Sequence, residues 1–175
     1  MHTSIDALAH LIESYLNTNS NEWNRVYSRE GFKVWGQFKE SLKEDNLAED
    51  DYEKMLRASA LAGMAITHTG TSLPHGLSYA FTYEQGYSHG KAVGMFLAGY
   101  VSMYKDKTVV QEILELLGFE DIEGFQSYIK ELLGPIHVDE EVLKNSIHKI
   151  LADAAKLKNY PFSVTEQELM TMVEV

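Results

Sequence analysis

The sequence predicts an all-α protein, and three observations support that prediction. Apolar residues recur every three or four positions through most of the chain, which is the spacing of one face of an α-helix. No segment alternates apolar and polar residues over the length of a strand, and no hairpin turn separates two apolar runs. Only three of the 175 residues are proline. We therefore expect a single domain over residues 1–175, built as a bundle of seven to eight helices.

The first half of the chain is expected to hold three helices. Apolar spacing predicts one helix over residues 3–16 and a longer one over 23–42, in which Gly31 and Gly36 are the points where it would break. The run YEKMLRASALAGMAITHTG is rich in Ala and Met and is apolar on most sides. That composition predicts a buried third helix, which should end near Gly70.

Two histidines are expected at helix starts. Pro74 suits the first turn of a short helix because its missing N–H has no helical partner there, and this places His75 near the start. Ser88 is a suitable cap for HGKAVGMFLAGYVSMY, which begins with His89. The remaining helical segments are TVVQEILELLG, which should end at Gly118, DIEGFQSYIKELLG, which should end at Gly134, DEEVLKNSIHKILADAAKLKN and TEQELMTMVEV.

The composition excludes several kinds of partner and site. Acidic residues outnumber basic ones by 26 to 15, and the formal charge of −11 repels both nucleic acid and anionic lipid. We therefore expect no nucleic-acid or membrane partner. The chain has no Cys, so disulfides and Cys-based zinc sites are excluded. It shows neither a signal-peptide pattern nor a membrane-length apolar run, so the expected location is the cytoplasm.

Asp6 and His10 form the first candidate pair of metal ligands. A separation of four on a helix puts both side chains on one face, a turn apart, so that both can reach one ion. Ordinary surface ion pairs share this spacing, and the spacing alone leaves both interpretations open. The flanking Ile5, Leu8 and Ile12 indicate a partly buried helix, and a buried Asp needs a metal ion or a histidinium as partner.

His75 and His89 form the second candidate pair. They lie in a stretch dense in glycine, which permits close approach of a ligand or of another backbone. Two readings remain from chemistry alone, namely metal ligation and hydrogen bonding within the core. His2, His137 and His148 are expected to be structural or solvated.

Three segments, DALAHLIESY, AGMAITHTGTSLPHGLSY and HGKAVG, resemble the helical C-terminal domain of the iron-containing alcohol dehydrogenases, in the dehydroquinate synthase-like superfamily. That family's metal pattern is an Asp, a His four residues later, a His near a later helix start, and a His fourteen residues after it. Asp6, His10, His75 and His89 match this pattern. The resemblance extends to YPFSVTEQELMTMV, near the end of the chain. It implies that the four residues hold Fe²⁺ or Zn²⁺ and leave room for a substrate oxygen.

The resemblance also implies a reaction and a missing partner. In the family, the metal assists hydride transfer between an alcohol or aldehyde and NAD(P), which an N-terminal α/β domain holds. This chain has no G-x-G-x-x-G loop and no parallel-strand pattern. We therefore expect it to be the metal- and substrate-binding half of such an enzyme, inactive without the cofactor domain. Dimers are common in the family, so a homodimer is the assembly to test.

Two positions depart from the family or extend its pattern. Many relatives carry another His one turn after the third ligand, where this chain has Tyr79. Tyr79 is a candidate to donate a hydrogen bond or carry a proton, and simple packing is the alternative. His68, seven residues before His75, is a candidate for the substrate side of the site or for contact with a ligand residue.

Two other function classes remain open. A metal-dependent hydrolase would use the same ligands to activate water and would need a general base, for which Glu13 is the obvious candidate. A helical interaction module would carry the histidines for structural reasons, and it predicts no bound metal after purification.

Overall fold

The computed structural model describes residues 1–173, within which the chain forms eleven helices and no strand. The all-α prediction is therefore confirmed. In chain order the helices are α1 (His2–Leu16), α2 (Glu22–Gly36), α3 (Lys39–Lys43), α4 (Glu49–Thr69), α5 (Leu73–Glu84), α6 (His89–Met103), α7 (Lys107–Leu117), α8 (Ile122–Leu133), α9 (Glu140–Leu151), α10 (Ala154–Leu157) and α11 (Glu166–Thr171).

The expected count of seven to eight helices is too low: the helical segments in the sequence number nine, and two of these are each divided into two helices. The predicted second helix ends at Gly36 and resumes as α3. A Cβ on Gly36 would lie 2.8 Å from the carbonyl oxygen of Leu117, so glycine is required for this close approach of two backbones. Near the C-terminus, the Asp153 side chain accepts the N–H of Ala155 and starts α10 as a separate helix.

Glycine ends three of the helices, as the sequence predicted. Gly70, Gly118 and Gly134 follow α4, α7 and α8, and all three have positive φ angles of 74°, 76° and 62°. Side chains with a Cβ rarely adopt this backbone conformation, so each helix stops at its glycine. After Gly70 the chain forms the short loop that leads to α5.

The core lies around α1 and α6. Helix α1 packs against α2, α4 and α6, and α6 packs in addition against α5 and α8. Almost every side chain of α6 from residue 90 to residue 101 is buried, and α1 is buried from residue 4 to residue 16 except at Asp6 and His10, which are half-buried. Polar side chains on α1 must therefore find partners inside the protein.

Helix α4 was predicted to be buried, and that prediction is wrong. Its buried apolar face consists of small residues, Ala58, Ala62 and Ala65, which let α4 approach α1 and α2 closely. Several of its large residues point outward, with Leu56 73% and Met64 51% exposed, whereas Met55 and Leu61 are partly buried against the core. The Ala- and Met-rich composition thus reflects close packing on one side of the helix. None of the helices in residues 1–173 is both long and apolar enough to cross a bilayer.

Candidate metal centre

Helix α1 presents one stripe of ionisable side chains to the core. Asp6, His10 and Glu13 follow one another at separations of four and three residues, so they share a helix face. The side chains of Asp6 and His10 are each 25% exposed, whereas Glu13 is fully buried. Exposure to solvent therefore falls along the stripe, from Asp6 and His10 to the buried Glu13.

The starts of α5 and α6 bring the other two histidines to this stripe. His75 is the third residue of α5, with Pro74 before it in the first turn, and His89 is the first residue of α6. Both positions agree with the predicted helix starts. Gly90 allows α6 to begin against the backbone of α1, because its position leaves no room for a Cβ beside the carbonyl of His2.

Three of the predicted ligands, Asp6, His10 and His75, form one group, and His89 contacts Asp6 beside that group. The Oδ1 atom of Asp6 lies 3.3 Å from Nε2 of His75 and 3.5 Å from Nε2 of His89, and its Oδ2 atom lies 3.7 Å from Nδ1 of His10. The rings of His10 and His75 stack with centroids 4.4 Å apart. One ligand atom from each of Asp6, His10 and His75 can be chosen so that all three lie within 4.8 Å of one another.

The donor atoms fit a divalent metal. Bonds of about 2.0–2.1 Å in a tetrahedral arrangement put neighbouring donors roughly 3.3 Å apart, which is close to the separations around Asp6. Asp6 Oδ1 and His75 Nε2 are buried and have no hydrogen-bond partner, although they face each other. Buried polar atoms of this kind are costly unless something binds them. Three imidazoles and one carboxylate suit Zn²⁺ or Fe²⁺ better than Mg²⁺ or Ca²⁺.

Two carboxylates set the charge of the cluster. Burial acts most strongly on His75 and would lower its pKa, but Glu13 and Asp6 on either side of the ring outweigh burial and raise the pKa to about 9. The pKa of His10 is lowered, first by burial and then by His75. For Asp6, burial would raise the pKa, yet the surrounding histidines hold it below its usual value. The two carboxylates therefore favour positive charge at His75, whereas burial and His75 disfavour it at His10.

Glu13 is not available as a general base. Its Oε1 atom accepts the backbone N–H groups of Ser72 at 3.1 Å and His75 at 3.2 Å, and its Oε2 atom binds Nδ1 of His75. The side chain is fully buried. Because both oxygens are engaged and no face of the carboxylate is open, the general base required by the hydrolase alternative is missing at this residue.

Tyr79 lies between the cluster and a cavity. Its ring stacks on that of His89, with centroids 6.2 Å apart and planes within 10°. It also lines a cavity of about 290 Å³ between α5 and α9, together with Gly76 and Ser146. Burial and then the charge of Glu13 raise the pKa of Tyr79, so the phenol keeps its proton at neutral pH.

The other histidines lie apart from the cluster or play a structural part. His68 is exposed on the last turn of α4, and its ring stacks on Tyr27 at 6.0 Å. Its assignment to the substrate side stays a prediction. Nδ1 of His2 lies 2.7 Å from Oγ of Ser88, joining the starts of α1 and α6. His148 is 63% exposed and pairs with a surface glutamate.

Comparison with known families identifies the chain. The sequence model described as "Fe-containing alcohol dehydrogenase family, C-terminal" matches residues 1–169. The chain belongs to this family. Its homologues are iron-containing alcohol dehydrogenases, which are oxidoreductases, and the resemblance drawn from the ligand pattern is confirmed.

The chain is similar to solved structures in fold and in sequence, and to further proteins in sequence. An iron-containing alcohol dehydrogenase from Thermotoga maritima matches 97% of the chain with a TM-score of 0.84 and 32% identity. The sulfoacetaldehyde reductase of Bifidobacterium kashiwanohense, solved with NAD⁺, matches 99% with a TM-score of 0.81 and 25% identity. The 4-hydroxybutyrate dehydrogenase of Clostridium kluyveri is 23% identical over 175 residues. The chain spans 46%, 48% and 44% of these three relatives, respectively.

Sequence reasoning missed how Glu13 takes part in the site. It considered Glu13 only as a base for hydrolysis, whereas the structure shows it bound to His75 on the side away from Asp6. A signal was present, because Glu13 lies on the same helix face as Asp6 and His10. Its flanking apolar residues, Ile12 and Tyr15, also indicated burial.

Proposed function

We propose that the chain is the metal- and substrate-binding domain of an NAD(P)-dependent alcohol dehydrogenase of the iron-containing family. The convergence of Asp6, His10 and His75 supports this proposal, since one ligand atom of each lies within 4.8 Å of the others, and His89 contacts Asp6 from a third helix. Oδ1 of Asp6 and Nε2 of His75 are buried and 3.3 Å apart without a well-formed hydrogen bond, and a metal ion between them would satisfy both atoms.

The residues of the chain have different roles in the proposed site. Asp6 supplies the negative charge, and three imidazoles complete a set of ligands for Fe²⁺ or Zn²⁺. When bound, the ion acts as a Lewis acid on the oxygen of an alcohol or aldehyde. His75, 3% exposed, closes the inner side of the site against water, and His89, 41% exposed, leaves the outer side open to substrate. Tyr79, whose ring stacks on His89 and whose pKa is raised by burial, is the residue that we propose to donate a proton to a substrate oxygen.

The cofactor and the assembly are proposed from the relatives. The sulfoacetaldehyde reductase that this chain resembles binds NAD⁺, and we propose NAD(P) as the hydride carrier here. Residues 1–173 contain no strand and so no strand–loop–helix for a pyrophosphate. We therefore propose that a cofactor-binding α/β domain acts together with this one, that this chain alone transfers no hydride, and that a small alcohol or aldehyde is the substrate.

Metal binding is the experiment that tests the proposal. Metal-free protein is titrated with Zn²⁺ against a chromophoric chelator, and bound metal is counted by elemental analysis. We expect one equivalent for the wild type and much weaker binding for Asp6→Ala and His89→Ala. His148→Ala is the matched control, because it removes an exposed imidazole outside the cluster.

The outcomes separate the function classes. Retention of one tightly bound equivalent by both site variants would contradict the assigned ligands. A wild type that binds no Zn²⁺ or Fe²⁺, and whose thermal midpoint is unchanged by chelation, would instead favour the helical interaction module. For the proposed site, metal at a hundred times its Kd should stabilise the fold by about 2.7 kcal/mol.

A further inference from the structure

Glu13 is a buried carboxylate, and its hydrogen bonds all go to the segment of residues 72–75. It lies on α1, is fully buried, and binds three donors, all of them on Ser72 or His75. Among the side chains that the structure describes, no lysine or arginine forms an ion pair with it. A carboxylate is expensive to bury, and its two oxygens are here used only to hold the segment that enters α5.

The first contacts of Glu13 replace the missing cap of α5. Ser72 precedes the helix, but its side chain makes no capping hydrogen bond. Oε1 of Glu13 instead accepts the N–H groups of Ser72 and His75, which have no helical partner at this end. A side chain of α1 therefore fixes the first turn of α5 and the backbone of His75.

The third contact of Glu13 orients the imidazole of His75. A carboxylate oxygen can only accept, so Nδ1 of the ring carries the hydrogen in this contact. In the neutral ring, Nε2 is then left with its lone pair, and Nε2 faces Oδ1 of Asp6 at 3.3 Å. Backbone and ring of His75 are thus held by one carboxylate, with the ligating nitrogen turned into the cluster.

We propose that Glu13 is a positioning residue that selects the tautomer and orientation in which His75 binds metal. This inference rests on the proposed metal-binding function of the four-residue cluster. Glu13 acts from the far side of the ring and contacts neither substrate nor metal. Carboxylates that bind the second nitrogen of a metal-ligating histidine typically contribute a factor of about 10–100 to metal affinity.

Glu13→Gln distinguishes positioning from a plain structural role. The two backbone N–H groups can only donate, so the amide oxygen of Gln must take the place of Oε1 and keep the cap of α5. The amide nitrogen then faces Nδ1 of His75 and donates to it. The hydrogen of the neutral ring moves to Nε2, and the lone pair that would bind metal is lost.

The test measures Zn²⁺ affinity by chelator competition, together with thermal unfolding of the metal-free protein. We expect Glu13→Gln to lower the affinity by a factor of about 10–100 while the metal-free protein still unfolds cooperatively. Glu13→Asp keeps a carboxylate and should lower the affinity less. Glu168→Gln is the matched control, because Glu168 also caps a helix, through Thr165, but lies on α11 outside the cluster.

A spectroscopic measurement reports the tautomer directly. In Zn²⁺-loaded protein, the ¹⁵N signals of the His75 ring should show metal on Nε2 and hydrogen on Nδ1. Wild-type affinity in Glu13→Gln, or weaker binding by Glu13→Asp than by Glu13→Gln, would overturn the positioning role while leaving the metal site intact. Absence of Zn²⁺ binding by the wild type would overturn the proposed function and this inference with it.

Discussion

Gly90→Ala should damage both the fold and the metal centre. Gly90 is the second residue of α6, next to His89, and it faces the first turn of α1. A Cβ at position 90 would lie 2.6 Å from the carbonyl carbon of His2, closer still to the carbonyl oxygen, and 3.4 Å from Cβ of Asp6. The added methyl group therefore pushes on the backbone turn that carries Asp6.

The size of the effect follows from this geometry. Real Cβ contacts essentially never fall below 3.0 Å, so the start of α1 must move away by at least the difference between 3.0 and 2.6 Å. Forcing a methyl group into a packed interior costs about 1–3 kcal/mol, and we expect the upper end against rigid backbone. The better helix propensity of Ala offsets at most about 1 kcal/mol. The net loss of about 2 kcal/mol corresponds to a Tm lower by roughly 4–8 °C.

Thermal and urea unfolding of metal-free protein measure the first effect, and Zn²⁺ affinity measures the second. Gly63→Ala is the control, because Gly63 lies inside α4 and nothing stands within 4 Å of the added Cβ. That variant should gain up to about 1 kcal/mol from helix propensity and bind Zn²⁺ as the wild type does. If Gly90→Ala unfolded at the wild-type midpoint with unchanged Zn²⁺ affinity, the close approach of α1 and α6 would be refuted.

Three further changes probe other parts of the fold. Asp121→Ala removes the acceptor of the Gly124 N–H at the start of α8 and should cost about 1 kcal/mol in urea unfolding, and an unchanged midpoint would argue against this cap. Trp35→Phe removes the indole N–H from the carbonyl of Ser4, which also accepts a helical N–H within α1, and should cost about 1 kcal/mol, with an unchanged urea midpoint counting against that hydrogen bond. Burial above all raises the pKa of Tyr15 to about 12, so the folded state holds this proton longer than the unfolded chain does. Stability should therefore be constant on this account below pH 10 and fall as the pH rises toward 12, and a Tyr15→Phe variant whose stability falls with pH as steeply as that of the wild type would contradict it.

Helical spacing in the sequence was sufficient for the fold class and for most helix ends. Turn residues act locally, so Gly70, Gly118 and Gly134 could be read as helix stops without knowledge of the tertiary structure. The division at Gly36 could only be suspected, because its cause is the backbone near Leu117, some eighty positions away. The exposure of α4 was missed for the same reason, since composition does not reveal which side of a helix meets its neighbours.

The spacing of Asp6, His10, His75 and His89 in the sequence identified them as candidate ligands. Their assignment to one metal site came from the family resemblance. The spacing places Asp6 and His10 on one helix face, but no local rule states that the starts of two later helices come to that face. Tertiary packing decides this, through the close approach that Gly90 allows between α1 and α6.

The sequence by itself determined an all-helical chain, its helix stops and four candidate ligands with the spacing of one enzyme family. Only the tertiary structure decided that Oδ1 of Asp6 contacts the rings of His75 and His89. It also decided that Glu13 binds His75 and does not act as a base on a water molecule. The physical reason is that periodicity and turn chemistry act between neighbours in the chain. The orientation of an imidazole and the partner of a buried carboxylate depend on contacts between distant segments, which exist only once the helices have packed.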